Sequence, residues 1–138
     1  MSKISVLIVD NDKETVQELS NYIKIQSDIT IAGIANNSED ALLEIQKTKP
    51  DVLFLDLVVP SMDCINVLKE IDTMFLTKIP RIILYSSSQV ALASISSIVH
   101  TNIDFCLLKP QKCEYVCNII RTIMTWRNKP QYDIKRSI

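Results

Sequence analysis

ValLeuPheLeu at 52–55, stopped by Asp56, is the stretch that most narrows what this chain can fold into. Four consecutive apolar residues are too few for a helix, and without alternation they suit a strand covered on both faces. Such strands belong to parallel sheets, whose crossovers are helices packed against the two sides. The rest of the chain supplies the other parts. ISVLIV (4–9), ITIAGIA (29–35), IILY (82–85) and a run near 103–108 read as further strands. Between and after them, apolar residues recur at helical spacing over 13–25, from Ser38 through SEDALLEIQK, near 64–73, near 89–99 and over about 112–126. Five strands alternating with five helices predict a doubly wound five-stranded α/β sheet in the order 2-1-3-4-5.

Bulk properties exclude more than they assign. The chain has 138 residues, about one domain, and a formal net charge of -1, so no global field draws it to nucleic acid or anionic membrane. The apolar run at the N-terminus is too short for a signal peptide and meets a carboxylate at once. The longest stretch without Asp, Glu, Lys or Arg, 82–103, holds six serines and is no membrane span. A cytoplasmic protein is expected. Cys64, Cys106, Cys113 and Cys117 form no CxxC pair and have no histidine at zinc-like spacing, which predicts free, mostly buried thiols. Residues 127–138 lose the helical stripe, so a domain over 1–127 is expected, followed by a tail or the start of a linker at 128–138.

In open α/β sheets, ligands sit beyond the carboxyl ends of the strands. Asp10, Asp56, Ser86 and Lys109 each follow a different strand, so two carboxylates, a hydroxyl and an ammonium are expected at one edge. Each alone has an ordinary explanation in turn formation or helix capping. Asp12 reads as the N-cap of the helix over 13–25, Asp63 as a loop residue, and His100 as a surface residue.

VLIVDND, DVLFLDLVVPSMD, IILYSSS and FCLLKP together resemble the receiver domain of bacterial two-component response regulators, over roughly residues 3–126. LSNYIKIQSDITIAGIANNSEDAL and DVLFLDLVVP are most similar to the receivers of sporulation-initiation transcription factors. The resemblance implies that Asp56 accepts a phosphoryl group from a phosphohistidine on a histidine kinase or histidine phosphotransferase. It implies Mg²⁺ held by Asp10, Asp56 and the backbone carbonyl of Val58, with Ser86 and Lys109 contacting the phosphoryl oxygens. It also implies a homodimer surface on the fourth helix, fifth strand and fifth helix, where 82–103 offers no charge.

The chain departs from the family pattern at several places. Receivers carry two adjacent acids after the first strand; here they are Asp10 and Asn11, which predicts weakened Mg²⁺ binding. Cys64 stands where a glycine is usual, and Asn102 and Ile103 where small residues are. Cys106 replaces the aromatic switch residue, with Phe105 one place off and facing the other way. A receiver that no longer responds to phosphate, acting as an interaction module, is therefore a second reading. DNDKET also resembles the nucleophile motif of haloacid-dehalogenase-type phosphohydrolases, with Asp10 as nucleophile and Asp12 as general acid. Thr15 falls one place late for that motif, and it leaves Asp56 unexplained.

Overall fold

The first strand, β1 (Ile4–Val9), pairs on both sides, and its residues sort the molecule into two layers. Val6 and Ile8 face one cluster and Leu7 and Val9 the other, all four fully buried. That is the period-2 alternation of a strand with helices on both faces. A computed structural model describes residues 2–57, 64–74, 77–95 and 103–126, the side chains of Cys64 and Ser94 aside. The remaining elements are α1 (Lys13–Lys24), β2 (Ile29–Ala35), α2 (Ser38–Thr48), β3 (Val52–Leu55), α3 (Cys64–Thr73), β4 (Arg81–Ser86), α4 (Gln89–Ser94), β5 (Phe105–Leu108) and α5 (Cys113–Met124).

All strands pair in parallel, in the order β2-β1-β3-β4-β5. Leu19 and Ile23 of α1 and Val116, Ile120 and Ile123 of α5 cover the face of Val6, Val52, Phe54 and Ile83. Ala41 and Ile45 of α2, Val67, Leu68 and Ile71 of α3, and Ile95 after α4 cover Leu7, Leu53, Ile82 and Leu84. Each fully buried Leu or Ile contributes roughly 1.5–3 kcal/mol relative to exposure. The four residues of β3 are all buried, as a central strand between two helical layers requires.

Local chemistry fixes the helix ends. Asp12 caps α1, its carboxylate accepting from Glu14 N at 3.2 Å and from the Thr15 hydroxyl at 2.7 Å. The Thr15 hydroxyl is the main cause that holds the Asp12 carboxyl below the usual range. Asn37 caps α2 by accepting from Asp40 N at 2.8 Å, and Ser88 caps α4 through Ala91 N at 3.1 Å. Lys49 ends α2 in the left-handed region (φ 48°), just before Pro50.

Polar residues tie the amino ends of the strands. Asp51 accepts from Ser5 N at 2.8 Å and pairs with Lys78 at 2.6 Å. Asp104 accepts from Ile82 N at 2.8 Å and from Arg81 Nη1 at 3.3 Å, and Arg81 Nη2 donates to the Trp126 carbonyl oxygen. The fifth strand starts at Phe105; just before it, Asp104 N donates to Ile82 O at 2.9 Å while its carboxylate takes the Ile82 amide.

Two other expectations need correction, and one lies outside the described residues. The last helix is Cys113–Met124, with Thr125 and Trp126 forming its closing turn. The fourth helix is described to Ser94, and the expected stretch to 99 runs outside the described residues. Of the cysteines, Cys117 is buried, Cys106 is exposed on the edge strand β5, and Cys113 is only partly covered at the start of α5. Burial pushes the Cys117 thiol up to about 11. Among the described residues, no helix is long and apolar enough to cross a membrane.

Candidate functional site at the carboxyl edge of the sheet

Ser86 is the last residue of β4, and the other three site residues each extend a strand ladder by one rung. Asp10 N donates to Ala35 O at 3.0 Å, Asp56 N to Val9 O at 2.9 Å and Lys109 N to Ser86 O at 2.8 Å. Their side chains therefore leave the sheet from backbone that is hydrogen-bonded on a rigid scaffold. The four residues expected at one edge do lie there.

Lys109 joins two of them. Its Nζ donates to Asp10 Oδ2 at 2.8 Å and to Asp56 Oδ2 at 3.3 Å. The side chains of Lys109, Asp10 and Asp56 are 12%, 1% and 6% exposed. Two buried carboxylates thus share one ammonium. Burial by itself would lower the lysine, but the hydrogen bond and charge of Asp10, then those of Asp56, hold it above its ordinary value.

The two carboxylates are not equivalent. Asp10 is held twice: Oδ1 accepts from Asp12 N at 2.9 Å and Oδ2 takes the shorter lysine bond, and the residue lines a hollow with Lys13, Asn36 and Asp40. Asp56 lines a separate cavity of about 390 Å³, together with Asn11, Asp12, Tyr85, Ser87 and Lys109. Ser86 lies at the edge as expected but is fully buried, its Oγ accepting from Ser88 N at 3.0 Å. A hydroxyl that accepts keeps its own proton to donate. The serine that reaches the cavity is Ser87.

Oxygen donors suited to a hard cation are present in Asp10 and Asp56, with the exposed Asn11 amide on the cavity wall. Val58 and Asp63 lie outside the described residues, as do Asn102 and His100. Among the described residues no cluster of three His, Cys, Asp or Glu groups converges.

Phe105 and Cys106 divide as expected. Phe105 pairs with Ile83 and packs against the α1–α5 layer, whereas Cys106 pairs with Leu84 and is exposed on the other side. Tyr85, which sequence reasoning passed over, is a wall of the cavity. Its hydroxyl accepts from Gln111 N at 2.8 Å, and its ring centroid lies 5.3 Å from Lys109 Nζ. Its place just before Ser86, inside an apolar strand, gave it the look of core.

The profile of the response regulator receiver domain matches residues 6–121. The chain belongs to the response-regulator receiver family. The receiver domain of a response regulator from Bermanella marisrubri has a TM-score of 0.76 at 21% identity, covering 89% of this chain and 99% of that one. The response regulator domain of CheB from Thermotoga maritima has a TM-score of 0.71 at 23% identity, covering 89% and 97%. A DNA-binding response regulator of the LuxR family from Staphylococcus aureus has a TM-score of 0.74 at 23% identity, covering 87% and 98%. At these identities the likeness is one of fold. Receivers are signalling domains and not enzymes of the phosphohydrolase kind, and Asp12, occupied in capping α1, has the structural role read from its spacing.

Proposed function

We propose that this receiver accepts a phosphoryl group on Asp56 from a phosphohistidine of a histidine kinase or histidine phosphotransferase. The observation that carries the reading is the pairing of a cavity-lining carboxylate with a buried ammonium: Asp56 Oδ2 lies 3.3 Å from Lys109 Nζ. A carboxylate oxygen of Asp56 attacks phosphorus in line, the P–N bond breaks, and its electron pair leaves with the imidazole. Little else is asked of the protein than positioning and neutralising oxygens. Lys109 supplies positive charge to one phosphoryl oxygen, and the Ser86 hydroxyl donates to another. Asp10 and Asp56, with the Val58 carbonyl and Asn11, would hold Mg²⁺. The metal ion when bound neutralises phosphoryl oxygens.

Transfer is tested by mixing the protein with a phosphorylated histidine phosphotransferase and Mg²⁺, and following the label from one protein to the other. Loss of label from the donor with gain on the receiver, absent in Asp56→Asn, supports the reading. Label that stays on every donor tried speaks for the second reading, a phosphate-independent interaction module. Two observations favour that second reading: Lys109 is held most closely by Asp10, and Asn11 lacks a charge. Self-association through the fourth helix, fifth strand and fifth helix is supported by exposed Val90, Leu108 and Tyr115 on those elements.

A further inference from the structure

Tyr85 contacts the lysine of the site with its ring and the turn beyond it with its hydroxyl. Its ring lies under the ammonium, 5.3 Å from Nζ to centroid, within the range of a cation–π contact. Its hydroxyl accepts from Gln111 N at 2.8 Å, two residues beyond that lysine. The connection from β5 to α5 is therefore fastened to β4 at two backbone amides, Lys109 N on Ser86 O and Gln111 N on Tyr85 Oη. Gln111 braces the same turn, its Nε2 donating to Leu108 O at 2.8 Å.

The ring itself is fixed. Tyr85 is 5% exposed and rests against Phe54, with centroids 5.0 Å apart and planes tilted by 49°. A flat, immobile ring beside a four-carbon stem removes conformations that a lysine would otherwise sample, which an aliphatic residue in the strand would do less well. Burial holds the phenol above its ordinary value, so it stays protonated through the neutral range.

We propose that Tyr85 is the positioning residue for Lys109, its ring and hydroxyl jointly holding the ammonium over Asp10 and Asp56. This deepens the phosphoacceptor reading but its central observable needs no phosphate. Fixing the donor in advance removes reorganisation at the moment of transfer. Tyr85→Phe keeps the ring and loses the tie to Gln111; Tyr85→Leu loses both.

Two readouts test it on the full chain. The first is the ¹⁵N signal of the Lys109 ammonium, assigned by its loss in Lys109→Gln, whose exchange with water reports how firmly Nζ is held. The second is the rate of Asp56 phosphorylation by an acyl phosphate with Mg²⁺. We expect ammonium exchange to quicken and phosphorylation to slow about fivefold in Tyr85→Phe, the size of one neutral hydrogen bond, and further in Tyr85→Leu. In a Lys109→Gln background, Tyr85→Leu should slow phosphorylation no further. An ammonium signal unchanged in both tyrosine variants overturns the proposal, as does an equal loss of rate with and without the lysine. If Tyr85→Leu fails to fold, Tyr85→Phe decides by the same readouts. If the parent takes up no phosphoryl group, the phosphoacceptor reading fails while the ammonium signal still tests Tyr85.

Discussion

Lys109 donates to Asp10 at 2.8 Å across 99 positions of sequence, a shorter contact than its 3.3 Å bond to Asp56. The cation of the site is thus held more closely by Asp10 than by Asp56. That geometry leaves Asp56 facing the cavity while its charge is partly balanced.

Removing that ammonium should expose how much the carboxylates depend on it. Lys109→Gln leaves Asp10 and Asp56 buried together without a cation, which costs about 3 kcal/mol. Urea unfolding followed by the fluorescence of Trp126 measures it.

Asn11→Asp should restore the second acid of the family pattern. A further carboxylate on the cavity wall should tighten Mg²⁺ binding about tenfold, or about 1.4 kcal/mol. Calorimetric titration of the parent and the variant checks this, and equal affinities would remove Asn11 from the metal site.

Asp104→Ala should loosen the amino end of β4. It strips Arg81 of a buried partner and leaves Ile82 N without its 2.8 Å acceptor. A loss of about 3 kcal/mol is expected. Hydrogen exchange should quicken at the Ile82 amide before it does so at Ile83 or Leu84.

Acid should weaken the fold through two carboxylates at the amino end of the sheet. A hydrogen bond from Arg121 holds the Asp28 carboxyl below its ordinary value, and for Asp51 burial is outweighed by Lys78 and Ser5 in the same direction. A depressed group contributes stability above its unfolded value that is lost as pH falls through the folded one. The urea midpoint should therefore decline below about pH 4, and the Asp28→Asn, Asp51→Asn double variant should show a flatter decline.

The sequence displayed the scaffold because burial on both faces leaves a local mark. The run at 52–55 could hardly be anything but a central strand, and the residues ending each run sit at one edge because parallel strands share a direction. What escaped notice depends on contacts between distant residues. Asn37 was overlooked as a cap beside the stronger acidic signal of Ser38–Asp40. Arg81 and Asp104 look like ordinary surface charges until the sheet sets them side by side. Tyr85 looked like core, and its polar tip became informative only when the turn carrying Gln111 folded over it. Ser86 Oγ accepts from Ser88 N and Ser87 lines the cavity, contacts that a run of three serines does not reveal.

The most direct test of the phosphoacceptor is chemical trapping. The protein is treated with an acyl phosphate and Mg²⁺, reduced with borohydride to convert any aspartyl phosphate to homoserine, and mapped by peptide mass. Homoserine at position 56, absent in Asp56→Asn, is the predicted result. Homoserine at position 10, or at neither position, would contradict the assignment of Asp56.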